Sequence, residues 1–134
     1  MNLINIYTPN NPWLEIHRDT RGQISDVFYD TEINHVAVVT SVEGAIRGNH
    51  YHKESTQHML MTQGSMEYWW KPVYSDEPAQ RVIVREGDLV STPPYEVHTL
   101  RFLEEWNAFT VFTQGIRGGM DYEADTFRVD SILP

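Results

Sequence analysis

The stretch Gly44-Ala45-Ile46-Arg47-Gly48-Asn49-His50-Tyr51-His52-Lys53-Glu54-Ser55-Thr56-Gln57, closed by Gly64, decides the reading of this chain. His50 and His52 stand two apart in a run of strand-like composition. Alternation along a strand puts both side chains on one face. Two imidazoles at neighbouring positions of one face can converge on a single ion, and this is the chemical sense of His-x-His on a strand. Gly64 permits the tight hairpin that brings the next strand back alongside. Further on, Gly87 is followed by Pro93 and then His98. Asp88–Thr92 reads as a strand, Pro93-Pro94 as an extended corner, and His98 as the opening of another strand. From there a third imidazole could close the coordination sphere.

Outward from these stretches the chain is a series of short runs rich in Val, Ile, Thr, Phe, Tyr and Trp. Strands are expected at 35–42, 46–52, 57–62, 65–72, 80–85, 88–92, 97–103 and 107–114. Turn signals separate them at Glu43-Gly44, Gln63-Gly64, Ser75–Pro78, Glu86-Gly87, Pro93-Pro94 and Glu104-Glu105. Residues 1–12 read as an arm or a first strand, and Asp19-Thr20-Arg21-Gly22 as a turn. The tail from Gly118-Gly119 to Pro134 reads as a turn of helix or a last strand. No segment shows sustained helical periodicity. Short strands at this spacing predict an all-β sandwich or barrel.

The 134 residues suit one domain with a real core. Ten Lys and Arg against 19 Asp and Glu give a net charge of −9. A nucleic-acid backbone or an anionic lipid surface repels such a chain, so neither is an expected partner. The absence of Cys excludes disulfides, thiolate metal sites and Cys nucleophiles, and it fits the cytoplasm. The opening MNLINIYTPNNPW has neither the basic nor the apolar region of a signal peptide, and no apolar run reaches membrane-spanning length.

The two histidine stretches resemble the two motifs of the cupin superfamily, G-x5-H-x-H-x3–4-E-x6-G and G-x5-P-x-G-x2-H-x3-N. The first is met at Gly44, His50, His52 and Gly64, with Gln57 in place of Glu. The second is met at Gly87, Pro93 and His98, with Tyr95 in place of Gly and Phe102 in place of Asn. The resemblance implies a cupin double-stranded β-helix, a jelly-roll barrel. It implies one domain over 1–134, with a motif core of about 33–118 between an N-terminal arm (1–32) and a C-terminal tail (119–134). The segment Arg47-Gly48-Asn49-His50-Tyr51-His52 is similar to the R-G-x-H-Y of dTDP-4-keto-sugar 3,5-epimerases. It is also similar to the R-G-N-H-x-H of the C-terminal cupin in capsular-polysaccharide enzymes acting on UDP-sugars. Asp19–Gly22 resembles a D-x-R-G segment of the same relatives, and Asp121–Val129 faintly resembles their tail. His52-Lys53 with Gln57 resembles the H-x-H-K-x3-Q of sugar-nucleotide 3,4-ketoisomerases.

These likenesses set the candidate site. His50, His52 and His98, with Gln57 as a fourth ligand or an orienting group, are expected to hold a divalent transition metal: Zn, Fe, Ni or Mn. The alternative is a metal-free pocket in which His50 or His52 is a base. His58 has opposite parity to Gln57 and is expected outside the pocket unless a bulge intervenes. A 4-keto nucleotide sugar is the expected substrate, with His50 as base and Tyr51 or Tyr95 as acid. Arg47 and Lys53 are the candidate substrate-binding cations. Regular alternation puts Arg47 on the face opposite His50, so it either meets a neighbouring subunit or reaches around the rim. Asp121, Glu123 and Asp125 read as a solvated acidic surface. Two other functions stay open: an iron-type dioxygenase or isomerase of a small organic molecule, and a non-catalytic sugar-binding cupin. A homodimer is expected, with strand 65–72 a candidate interface.

Overall fold

The computed structural model describes residues 1–115 and 123–134. Among the described residues twelve strands, all antiparallel in their pairings, build two facing five-stranded sheets and one separate hairpin. The first sheet has the order β1 (Asn2–Asn5), β9 (Asp88–Thr92), β6 (Thr56–Gln63), β11 (Trp106–Gln114), β4 (His35–Val42). The second has the order β12 (Phe127–Arg128), β5 (Ile46–Tyr51), β10 (Glu96–Phe102), β7 (Ser65–Pro72), β8 (Gln80–Arg85). The hairpin is β2 (Ile16–Asp19) with β3 (Gly22–Ser25). This is the jelly-roll arrangement that the motifs imply. Each strand expected between 35 and 114 is present within one residue of its expected ends.

The two ends of the chain belong to the sheets. β1 pairs with β9, and β12 with β5, so the arm and the tail each add an edge strand. Asp19–Gly22 forms the turn between β2 and β3, pinned by an Arg21–Asp19 ion pair of 2.6 Å at the surface. The tail's open choice resolves into both elements: Glu123 and Ala124 are helical and Phe127–Arg128 is a strand. Asp121 and Gly118-Gly119 lie outside the described residues.

The core follows from strand alternation. On β6, Gln57, Met59 and Met61 are buried while the residues between them are less so. Met66 and Tyr68 from β7, Val84, Val90, Leu100, Phe102, Phe109 and Val111 complete the apolar filling. Phe102, which stands where the motif has Asn, is 1% exposed and stacks on Phe109 at 6.0 Å. β7 lies between β10 and β8, and its inward residues belong to this core. A run of exposed apolar side chains lies instead on edge strand β4 and its neighbour: Val36, Val38, Val42 and Trp106. Apolar filling occupies one end of the barrel, and polar inward residues (Gln57, Thr92, His98 and Thr113) gather at the other. Among the described residues no helix is long and apolar enough to cross a membrane.

Gly64 shows why the first motif closes on glycine. Its φ is +77°, and an added Cβ would collide with Asn107 Oδ1 and lie 2.8 Å from Trp106 O. Asn107 is fully buried and donates to Ser41 O and Glu104 O, so it has little room to yield. Gly64→Ala is expected to lower stability by about 2–4 kcal/mol through left-handed strain and this clash. Guanidinium unfolding checks it; an unchanged midpoint would show that the turn relaxes freely.

Candidate active site

The cavity sits between the sheets at the polar end and has a volume of about 320 Å³. β5 carries His50, β10 carries His98 directly opposite it, and His52 follows one residue beyond the end of β5. The three rings form a triangle with centroid separations of 4.7, 4.9 and 5.7 Å. One ligating atom from each lies within 4.8 Å of the others. Gln57, 5% exposed, reaches the same cavity from the facing sheet.

Backbone carbonyls orient two of the rings. A carbonyl only accepts, so His52 Nδ1–H donates to Asp125 O at 2.7 Å, and His98 Nδ1–H donates to Glu96 O at 3.2 Å. In the neutral rings the lone pair is then on Nε2. Burial, reinforced by the neighbouring His50, lowers the His98 pKa to about 3. His98 is therefore a neutral donor across the physiological range. Tyr68 stacks parallel to His98 at 6.3 Å. Its hydroxyl lies 2.5 Å from Thr92 Oγ1 and donates to Glu96 Oε1 at 3.1 Å, so it braces the strand that carries His98.

Arg47 departs from the regular pattern. His98 pairs with His50, but Thr99 pairs with Gly48, so Asn49 is an extra residue on β5. Asn49 has φ +57° and Gly48 φ +92°, and a Cβ on Gly48 would lie 2.5 Å from His98 O. This bulge reverses the parity of everything before it. Arg47 consequently shares the face of His50, and both line the cavity. The expectation from regular alternation is corrected by that one inserted residue. The guanidinium donates to Ser41 Oγ and Thr40 O, both at 2.9 Å, and spans from the second sheet to the edge of the first. It has no carboxylate partner among the described residues. A second cation, Arg128, lines the same cavity and forms a two-pronged pair with exposed Glu123.

The structure does not bring Tyr51, Tyr95 or Lys53 to this cavity. Tyr51 has the opposite parity to His50 and stacks between Phe127 (5.3 Å) and Tyr95 (6.3 Å). Lys53 places its ammonium 4.2 Å above the Phe127 ring. Tyr95 has φ +61°, the conformation that a Gly takes without strain, which accounts for the Gly of the motif at this position. His58 lies outside the cavity, as its parity predicts, bonded to Ser91 and Gln114.

A family assignment follows from comparison with known proteins. The sequence matches the family described as polysaccharide biosynthesis C-terminal domain over residues 17–117. The chain belongs to that family. No curated protein sequence matches it significantly. Among solved structures, this polysaccharide biosynthesis C-terminal domain is similar to a variant of the 3,4-ketoisomerase QdtA from Thermoanaerobacterium thermosaccharolyticum in complex with TDP-4-keto-6-deoxyglucose. The TM-score is 0.72 at 18% identity, over 96% of this chain and 86% of that one. It is similar to the dTDP-4-dehydrorhamnose 3,5-epimerase of Sulfolobus tokodaii, with TM-score 0.73 at 18% identity over 98% and 78%. It also resembles the capsular polysaccharide assembling protein CapF of Staphylococcus aureus, with TM-score 0.65 at 20% identity, over 93% of this chain but 37% of CapF. At these identities the likeness establishes the fold alone, a cupin jelly roll.

Sequence reasoning missed Arg128 in the cavity, and in this domain it also missed Asp125. Asp125 reads as part of a solvated acidic tail, yet it is 4% exposed. Its carbonyl holds His52, and its carboxylate accepts the backbone N–H groups of Lys53, Glu54 and Ser55 at 2.9–3.3 Å. Burial alone would raise its pKa, but these bonds outweigh burial and the pKa is lowered. Tail and loop are far apart in sequence, so no local spacing signals the contact. Asp125→Ala is expected to cost about 2–4 kcal/mol by leaving three inward N–H groups without an acceptor. Asp125→Asn keeps an acceptor and should cost less. Urea unfolding ranks the variants, and nitrogen NMR of His52 reads its tautomer. Equal stability of Asp125→Ala and wild type would contradict the clasp.

Proposed function

We propose that the cavity binds a 4-keto nucleotide sugar and catalyses epimerisation or ketoisomerisation in the synthesis of polysaccharide precursors. The observation that carries this reading is Arg47, a guanidinium without a carboxylate partner among the described residues, on the same wall as three clustered imidazoles. Arginine forks match phosphate oxygens, and a neutral imidazole is a competent base near pH 7. Family membership and the sugar-nucleotide enzymes among the structural relatives agree with it.

The chemistry is proton transfer next to a carbonyl. A 4-keto group acidifies the hydrogen on the adjacent carbon. His50 takes that proton, the electron pair moves onto the carbonyl oxygen as an enolate, and a hydrogen-bond donor in the cavity steadies the charge. Return of a proton to the opposite face of the same carbon gives an epimer. Return at the former carbonyl carbon, with loss of the neighbouring hydroxyl proton, gives a ketoisomer. Tyr51 and Tyr95 do not line the cavity, so neither is placed to complete the transfer. A homodimer and a cytoplasmic location belong to the same reading; the exposed valines of β4 favour pairing through that strand over pairing through β7.

The donor set also fits a divalent transition metal. Three imidazoles within reach of one point, two of them oriented through Nδ1, suit Zn, Fe, Ni or Mn, and Gln57 offers a carbonyl oxygen as a fourth ligand. When bound, such an ion supplies a Lewis acid. An imidazole that ligates through its lone pair is no longer a base, so His50 holds one role or the other.

One preparation tests both parts. In heavy water, the protein is expected to put deuterium at the carbon next to the carbonyl of TDP-4-keto-6-deoxyglucose, followed by proton NMR. His50→Asn should slow this at least about a hundredfold. Elemental analysis of the same protein decides between the two roles of His50: near-stoichiometric Zn, Fe, Ni or Mn, lost in His52→Ala and His98→Ala, makes it a ligand. No exchange above the solvent rate would contradict the enzymatic reading. A folded, metal-free and active protein would leave the imidazoles as acid–base groups alone.

A further inference from the structure

A second cavity, of about 450 Å³, lies on the opposite face of the first sheet from the histidine cluster. Gln57 and His58 are adjacent on β6 and therefore serve opposite faces, one for each cavity. The chain segment before β4 crosses this outer face. Phe28 anchors it, edge-on to both His58 and Phe112 at 5.0 Å. On the rim stand Trp13 and Tyr29, 82% and 79% exposed. Two large aromatic rings held in water at the border of a cavity serve neither the core nor the catalytic reading.

The floor has a defined polarity. Gln114 Oε1 can only accept, so His58 Nε2–H donates to it at 2.7 Å. Nδ1 of the neutral ring then accepts from the Ser91 hydroxyl at 2.6 Å. Ser91 Oγ keeps lone pairs to accept with, and the Gln114 amide keeps two hydrogens to donate. Among the described residues no Asp, Glu, Lys or Arg lines the cavity, whereas the histidine cavity has two arginines. An ionic ligand therefore finds no counter-charge here. The lining combines flat aromatic faces, an amide donor and a hydroxyl acceptor, and carries no charge. It suits a ligand with C–H-rich faces and hydroxyls that both donate and accept.

We infer that this cavity is a second binding site, for a neutral sugar ring stacked against Trp13 and Tyr29 and hydrogen-bonded to Ser91 and Gln114. It is separate from the proposed reaction and does not depend on it. Nucleotide sugar binds on the arginine side of the sheet, and uncharged saccharide on the aromatic side.

Saturation-transfer difference NMR with the full chain tests this, using methyl glucopyranoside, methyl galactopyranoside and the methyl glycoside of N-acetylglucosamine as probes. At least one is expected to show saturable transfer at its ring protons. Replacing both Trp13 and Tyr29 by Ala should weaken it about tenfold or more. Both rings are exposed, so folding is not at stake, and Gln114→Ala gives a second reading from the floor. His52→Ala should leave the signal intact. The proposal is overturned by no transfer from any probe, by transfer that persists in the double variant, or by transfer lost in His52→Ala. It is equally overturned if light scattering shows that the two aromatics hold a second copy of the chain and the glycosides do not compete.

Discussion

The site depends on one extra residue in one strand. Asn49 has no counterpart on β10, so the pairing of β5 slips by one between Gly48 and His50. Without it, the side chains at 47 and 50 would point to opposite sides of the sheet. With it, a guanidinium and an imidazole share one wall. The bulge is held on both sides: Thr99 donates to Asn49 Oδ1 at 2.7 Å, and Val129 N–H donates to Asn49 O at 2.9 Å. Gly48 lets the two strands approach where any side chain would meet His98 O. The sequence Arg-Gly-Asn-His is thus a backbone device before it is a set of functional groups.

The second support is the tail. A carboxylate taken into a loop is costly unless its oxygens are bonded, and Asp125 meets that condition with three backbone N–H groups. The same residue's carbonyl fixes the His52 ring. Loop 53–55, the imidazole and β12 are therefore tied together, and β12 places Arg128 beside His50. On the other side of the imidazole cluster, the Tyr68–Thr92–Glu96 bonds set the β10 strand that carries His98. The histidines are few, but each rests on contacts from a different part of the chain.

Much of this was legible in advance. The eight central strands follow from alternation and turn residues, because most are rich in β-branched or aromatic residues and most are bounded by Gly, Pro or paired acids. The three histidines follow from spacing within and after strands. Arg47 illustrates where such reasoning stops: parity arguments assume an unbroken ladder, and a bulge carries no strong local signal beyond Gly-Asn. Asp125 illustrates a second limit, since a buried carboxylate and a solvated one look alike until the partner loop is in place. Tyr51 and Tyr95 are a third. Their proximity in sequence to the histidines suggests the cavity, but alternation and the Pro93-Pro94 corner place them in an outer stack with Phe127.

The most direct test of this account is a calorimetric titration of TDP into the protein, into Arg47→Ala and into a variant lacking Asn49, each shown to be folded by circular dichroism. The account predicts binding to the wild type and a loss of about tenfold or more in both variants, because each removes the guanidinium from the cavity wall. Equal affinity in all three, or no binding to the wild type, would contradict it.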